Sequence, residues 1–233
     1  MKYLITTLLA FGFALHINAH ALLIKTAPEG EIGREHSVEV LYEEFADGSV
    51  EEVEDWYSDV GDFTLWLINP KGEKTQLDCK ESIDRYTTSF VPTIEGTYKL
   101  MVSHEAKDLG GTTKYQFNAQ AIVLVSHKNI DANFDTELSI EVQSLKNKAK
   151  KDINIRSLFQ GTPNSDVQVT VFSPSGWNKV FTPDSNGNIH FKPLWKGNYI
   201  IEATHYNGSE SGTHHDKEYS SVWRCTTIQI PIQ

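Results

Sequence analysis

Residues 166–172 read Asp-Val-Gln-Val-Thr-Val-Phe and open the part of the chain that decides the fold. Polar and apolar residues alternate along this stretch, which is typical of a β-strand with one buried face. Three more short runs follow at residues 179–182, 188–191 and 198–204. Between the first two of these, residues 183–187 read Pro-Asp-Ser-Asn-Gly, in which proline fixes φ while Asn and Gly tolerate positive φ. The series predicts strands joined by tight turns.

The same pattern runs through the first half of the chain, at residues 36–42, 63–68 and 96–102, and long helical periodicity is absent. Regularly spaced short strands favour an all-β fold of β-sandwiches. A strand-like run at 137–145 is followed by a basic stretch at 146–152, which we expect to be a solvated loop. The sequence therefore predicts two β-sandwich domains, residues 20–130 and 131–233.

Residues 1–19 have the features of a secretory signal peptide, with Lys2 followed by an apolar stretch too short to span a bilayer. Two cleavage sites compete. Cleavage after Ala19 leaves His20 at the mature N-terminus, whereas cleavage after Ala21 better fits the preference for small residues. Either cut predicts a periplasmic or secreted protein.

The composition narrows the range of possible functions. The chain has 233 residues and a formal net charge of −10, which argues against nucleic-acid binding because phosphate recognition needs clustered cations. Nine histidines stand beside two cysteines and two methionines, which favours imidazole-based metal chemistry over thiolate chemistry. Recognisable enzyme motifs, such as a nucleophile elbow or a phosphate-binding glycine loop, are absent, so we expect a protein that is not an enzyme.

Two further sequence features leave alternatives open. Cys79 and Cys225 could form a disulfide in an oxidising compartment, but they fall in different predicted domains and could equally be separate buried residues. Residues 43–62 hold nine acidic side chains and no basic one. The spacing of these carboxylates does not match a calcium loop, so we expect a solvated loop there.

Three histidines are candidate metal ligands. If cleavage leaves His20 first, its α-amine and imidazole can chelate one ion together, and nitrogen ligands suit Cu(II) or Ni(II). His104 ends a convincing strand and can face an open site, and His205 lies at a strand end before a Gly/Ser-rich loop. The remaining histidines after the signal peptide are predicted to be solvated at strand ends, on a strand surface or in a loop: His36, His127, His190, His214 and His215.

A family resemblance adds to these observations. It is carried by Ser175-Gly176-Trp177, by the turn from Thr182 to Gly187, by Trp195-Lys196-Gly197-Asn198-Tyr199 and by His205 just after that strand. This pattern resembles the periplasmic family related to the NikM component of nickel-uptake systems, and the family resemblance implies a transthyretin-like or carboxypeptidase-regulatory-like second sandwich. The opening at His20 and the Gly96-Thr97-Tyr98 strand are similar to periplasmic copper carriers. Pro183 inside the expected turn departs from the family pattern.

The resemblance implies a protein that carries or buffers Ni(II), Co(II) or Cu(II) for a membrane transporter, with His20, His104 and His205 as ligands. The alternative is a surface or carbohydrate-binding β-sandwich module, whose contacts would be exposed aromatic residues such as Trp56, Tyr57, Trp177 and Trp195. The least favoured hypothesis is a copper oxidase with an N-terminal histidine brace.

Overall fold

The computed structural model of the chain describes residues 20–126, 130 and 133–233. The predicted signal peptide at residues 1–19, which includes His16, lies outside the described residues. His127, predicted to be a solvated strand end, also lies outside them.

The described residues form twenty β-strands and two short 3-10 helices, which confirms the all-β prediction. The 3-10 helices are Val53–Asp55 and Val60–Asp62. The strands before residue 126 are β1 Ala21–Thr26, β2 Glu29–Gly30, β3 His36–Glu44, β4 Ser49–Val50, β5 Leu65–Ile68, β6 Lys74–Leu77, β7 Lys80–Glu81, β8 Tyr86–Phe90, β9 Gly96–Glu105 and β10 Thr113–Val125. Those after residue 133 are β11 Leu138–Val142, β12 Ile153–Phe159, β13 Thr162–Pro163, β14 Gln168–Phe172, β15 Asn178–Phe181, β16 Asn188–Phe191, β17 Gly197–Asn207, β18 Gly212–His214, β19 Lys217–Tyr219 and β20 Ser221–Ile232.

Three sheets make up the body of the molecule. The front sheet has the order β1-β3-β8-β7, with β4 beside β3. The central sheet has nine strands, in the order β15-β14-β17-β20-β10-β9-β5-β6, with β2 beside β10. The back sheet contains β11, β12 and β13, with β16 beside β12, and β18 and β19 form a separate hairpin. Most strand pairs are antiparallel, but β10 and β20 run parallel over residues 113–120 and 221–228.

Two hydrophobic cores lie on opposite faces of the central sheet. The first core includes β1, β3 and β8 of the front sheet together with Ala119, Ala121 and Val123 of β10. The second core includes β11, β12 and β16 of the back sheet together with Ile122 and Leu124 of β10. Successive side chains of a strand point to opposite faces, so one strand serves both cores. The molecule therefore consists of two β-sandwiches that share their middle sheet.

The pairing of β10 with β20 joins the two halves of the chain in one sheet. Cys225 of β20 belongs to the first core, although it lies near the end of the sequence. The domain boundary proposed at residues 130 and 131 falls next to residues outside the described set, and it stays a prediction. Within the described residues, no helix has the length and apolar character needed to cross a membrane.

Several side chains are placed differently from what their local sequence suggested. His36 is buried, not solvated, because its Nε2 lies 2.7 Å from Thr26 Oγ1 and its ring contacts Phe90. Glu43 and Glu44 belong to β3 and are buried, so the acidic stretch is not wholly a solvated loop. His190 is exposed between buried Ile189 and Phe191, as predicted. Both cysteines are free thiols, Cys225 buried and Cys79 half-buried.

Candidate functional site

A cavity of about 700 Å³ opens where the first sandwich meets the end of the β10–β20 pair. Its polar lining includes His20, Glu51, Asp55 and Thr113. The aromatic residues that line it are Tyr42, Tyr57, Tyr115, Phe117, Tyr206 and Trp223. We call this cavity the aromatic cleft.

Strand geometry explains why these rings share one wall. Tyr115 and Phe117 are two residues apart on β10 and therefore point to the same face. Trp223 of β20 is directly opposite Tyr115, and their ring centroids are 5.6 Å apart. Phe117 lies 5.7 Å from Trp223 and 5.7 Å from Tyr42 of β3, again between ring centroids. The wall is thus a continuous set of packed rings from both halves of the chain.

His20 lies at the edge of the cleft, immediately before β1. Its Nε2 is 2.8 Å from Glu51 Oε1, and its ring stacks on Tyr42 with 5.5 Å between centroids. Asp47 is also nearby. Hydrogen bonds from the Ser49 hydroxyl and amide are the main cause of the lowered pKa of Asp47, and His20 contributes a smaller part. The predicted ligand His20 therefore has carboxylates beside it.

His104 of β9 is held in a polar contact with Asp59, and neither residue lines the cleft. Its Nε2 lies 3.1 Å from Asp59 Oδ1, which also accepts a hydrogen bond of 2.8 Å from the Lys107 amide. Burial works to raise the pKa of Asp59, but the Lys107 amide and the His104 imidazole outweigh it and the pKa is lowered. This contact ties the loop after the first 3-10 helix to the loop after β9.

His205 faces the opposite side of the central sheet. Its ring stacks on Phe159 with 4.1 Å between centroids, whereas Tyr206, the next residue, lines the cleft. Burial lowers the pKa of His205, and the charge of Arg224, its cross-strand neighbour, lowers it further. Neighbouring residues of a strand point to opposite faces, so His205 cannot share a site with cleft residues.

The three predicted metal ligands are therefore not brought together as one set. Among the described residues, no group of three or more His, Cys, Asp or Glu side chains is arranged to hold a metal ion. The predicted ligands keep separate partners, which are Glu51 for His20, Asp59 for His104 and the Phe159 ring for His205.

The aromatic residues predicted as ligand contacts also lie in different environments. Trp56 is buried, with its Nε1 donating to the carbonyl of Glu51 at 3.2 Å, so it is not an exposed contact. Tyr57 lines the cleft, and its hydroxyl donates to the Asp108 carbonyl at 3.0 Å. Trp177 and Trp195 are exposed, but they lie on other loops away from the cleft lining.

Sequence reasoning missed Tyr115, Phe117 and Trp223, which form the wall of the cleft. The spacing of Tyr115 and Phe117 was a usable signal, because it places two rings on one face of a strand. Trp223 lies about a hundred residues later, and nothing in its local sequence indicates a parallel pairing with β10.

A buried carboxyl group lies on the first-sandwich face of β17. Glu202 is buried, and its Oε1 has no hydrogen-bond partner among the described residues. Burial raises the pKa of Glu202 to about 8, and the nearby Glu44 carboxylate adds to the shift. Glu202 is therefore largely protonated at neutral pH.

Comparisons with known proteins find only distant structural similarity. No family model matches the chain, and no curated protein matches it. Among solved structures, the fibronectin(III)-like modules of CbhA from Clostridium thermocellum are 12% identical, with a TM-score of 0.24, over 90% of this chain and 94% of theirs. A DUF4785-family protein from Legionella pneumophila is 10% identical, with a TM-score of 0.33, over 77% of this chain and 51% of its own. Trypsin-activated alpha-2-macroglobulin from Escherichia coli is 9% identical, with a TM-score of 0.30, over 91% of this chain and 16% of its own.

At such TM-scores these similarities carry no argument. The fold and the site define the chain as a β-sandwich protein with an aromatic cleft between its two halves.

Proposed function

We propose that the protein is a non-enzymatic binding module that takes a saccharide into the aromatic cleft, outside the cytoplasm. The observation that carries this proposal is a cavity of about 700 Å³ lined by six aromatic side chains and by two carboxylates, Glu51 and Asp55. Its volume falls in the range of small-molecule sites, which combine apolar and aromatic walls with a few polar groups.

The chemistry of the lining suits a neutral sugar. A sugar ring presents C–H groups on its faces, and aromatic faces are negative and attract them. Sugar hydroxyls can donate to the Glu51 and Asp55 carboxylates, which only accept hydrogen bonds when ionised. An anionic ligand is disfavoured, since these carboxylates and the net charge of −10 repel it. Tyr206 is 62% exposed, so its ring is available to contact a bound sugar ring.

Calorimetric titration with a panel of neutral and acidic oligosaccharides tests the proposal. We expect a neutral member to bind, and Tyr206→Ala to weaken that binding by about tenfold, as for an aromatic contact residue. Trp177→Ala is the matched control, because Trp177 is an exposed aromatic outside the cleft. Failure of every neutral saccharide to bind, or an equal loss in both variants, would contradict the proposal.

A second proposal concerns a transition metal at the rim of the cleft. The observation that favours it is the distance of 2.8 Å between His20 Nε2 and Glu51 Oε1. If the mature chain begins at His20, its α-amine and its imidazole Nδ1 offer a chelate to Cu(II) or Ni(II), and the Glu51 carboxylate beside Nε2 orients the ring. Such a protein could pass the metal ion to a membrane transporter.

Comparing Cu(II) affinity of a chain beginning at His20 with that of a chain carrying one extra N-terminal residue tests this second proposal. The extra residue moves the free amine away from the imidazole, so we expect a loss of at least about a hundredfold, because removing a ligand should cost more than the roughly 10–100-fold lost with an outer-shell partner. Glu51→Gln should weaken binding less. Equal affinities for the two chains would exclude the amine chelate.

A further inference from the structure

Three loops meet at the end of the molecule where β17 begins. The ring centroids of Trp177 and Trp195 are 6.5 Å apart. A Cβ built on Gly197 would lie 2.9 Å from Pro174 Cγ, so the loop before β15 lies against the loop before β17. The Lys150 amide donates to the Pro193 carbonyl at 2.7 Å, which places the basic loop against the same surface. We call this surface the Trp–Lys end; it consists of Trp177, Leu194, Trp195, Lys148, Lys150, Lys151 and Lys196.

Large apolar side chains of the Trp–Lys end are open to solvent. Trp177 is 43% exposed, Trp195 is 41% exposed and Leu194 is 54% exposed. Their backbones are nevertheless fixed. The Trp177 amide donates to Ser173 Oγ at 3.1 Å, and the Trp195 amide donates to the Tyr199 hydroxyl at 3.2 Å. Two tryptophans held side by side and exposed form an apolar patch of the kind that interaction surfaces carry.

The charge of this surface opposes the charge of the whole chain. Lys148, Lys150, Lys151 and Lys196 are exposed, in a chain with a net charge of −10. Residues 144–151 and 185–198 contain no acidic residue. Two carboxylates beside these segments are paired with lysines that are not part of the Trp–Lys end: Glu29 lies 2.9 Å from Lys146 Nζ, and Asp152 lies 3.8 Å from Lys192 Nζ. The end therefore carries a local positive excess.

We propose that the Trp–Lys end docks on an anionic phospholipid surface. Tryptophan is enriched at the level of lipid headgroups, where its indole is partly in the apolar region and its N–H remains hydrated. Lysine side chains attract acidic headgroups, and this attraction is felt only within about 10 Å at 0.1 M salt. Because of this short range, the acidic remainder of the molecule does not cancel the effect. Stable membrane binding takes two signals, and here the apolar tryptophans and the basic lysines occur on one surface.

Docking in this way would present the aromatic cleft to solution. β17 begins beside Trp195 and reaches Tyr206 of the cleft nine residues after Gly197. At about 3.3 Å per residue the strand separates the two sites by roughly 30 Å. The inference does not depend on what the cleft binds, because the two surfaces share no residue.

Sedimentation with vesicles tests the inference on the chain beginning at His20. We expect binding to vesicles of equal parts phosphatidylglycerol and phosphatidylcholine, no detectable binding to pure phosphatidylcholine, and loss of binding at 0.5 M salt. The triple variant Lys148→Gln, Lys151→Gln, Lys196→Gln should weaken the partition coefficient by about fivefold per lysine. A matched triple variant of exposed lysines elsewhere, Lys71→Gln, Lys80→Gln, Lys107→Gln, should leave it unchanged.

The tryptophans are tested separately. Trp177→Ala with Trp195→Ala should abolish both sedimentation and the blue shift of tryptophan fluorescence on adding anionic vesicles, while Tyr206→Ala should leave both unchanged. Equal sedimentation with neutral vesicles, or an equal loss in the two lysine variants, would overturn the proposal. Retention on a soluble polyanion such as dextran sulfate without vesicle binding would also overturn it, since the partner would then be an anionic polymer.

Discussion

The substitution Glu202→Gln removes an ionisable group from the interior of the molecule and leaves its shape unchanged. Glu202 lies on β17 among the first-sandwich residues, and burial is the main reason that its pKa is raised. Because the amide cannot ionise, the variant isolates what ionisation of this carboxyl does to stability. The experiment therefore measures a single buried group.

The magnitude follows from the displacement of the pKa from 4.5 to about 8. Each unit is worth about 1.4 kcal/mol, so the whole displacement corresponds to roughly 5 kcal/mol. Between these pH values the folded protein keeps a proton that the unfolded chain has lost, so the free energy of unfolding falls as pH rises. The contribution of Glu202 is fully present below pH 4.5 and is lost above about pH 8.

Urea unfolding followed by tryptophan fluorescence, at pH 5 and at pH 8.5, tests this expectation. Between pH 5 and pH 8.5, the free energy of unfolding of Glu202→Gln should rise by several kcal/mol relative to that of the parent. Any effect of the amide that does not depend on pH cancels in this difference. When Glu44→Gln is present in both proteins this gain should be smaller, because the Glu44 charge contributes to the raised pKa of Glu202. Glu95→Gln is the exposed control. If the difference between Glu202→Gln and the parent is the same at both pH values, the reasoning is wrong.

Three further predictions concern stability and reactivity. Gly187→Ala should destabilise the protein by about 1–3 kcal/mol in urea unfolding, because Gly187 has a φ of +77° and a Cβ there would lie 2.5 Å from the Ser157 carbonyl oxygen. Mass spectrometry after thiol alkylation at pH 8 should show slow modification of Cys79, whose pKa burial raises to about 11, and modification of Cys225 only in denaturant. Arg224→Met should cost about 1–3 kcal/mol in the same unfolding assay, because it removes the charge-assisted hydrogen bonds of 2.9 and 2.7 Å that the guanidinium donates to Glu137 and Glu210.

Local strand patterns were sufficient to predict much of the fold. The run at residues 96–102 lies within β9, the run at 188–191 coincides with β16 and the run at 198–204 lies within β17. These segments are short alternating or aromatic-rich runs, so neighbouring residues alone indicate a strand. The pairing of β10 with β20 could not be predicted in this way. Parallel strands are joined by long connections and leave no turn signal between them.

In the candidate site, too, some side-chain positions could be predicted from neighbouring residues and others depend on residues distant in sequence. The alternation of Tyr199, Ile201 and Ala203 places His205 on the buried second-sandwich face, so its orientation was available from the sequence. The position of His104 was not, because its partner Asp59 is forty-five residues away in sequence. The burial of His36 depends on Thr26 of β1 and on the Phe90 ring. Each of these contacts joins strands whose pairing is set by the whole fold.

The aromatic cleft depends on the parallel pairing of β10 and β20. Tyr115 and Phe117 come from the first half of the chain, and Tyr206 and Trp223 come from the second, with Tyr206 directly opposite Trp223 on the neighbouring strand. Neither group of rings encloses the cavity alone. Because β10 and β20 also contribute side chains to both cores, a change that displaces β20 would weaken the packing of both sandwiches and open the cleft at once. Ligand binding in the cleft should therefore stabilise the entire molecule against unfolding, and not the first sandwich alone.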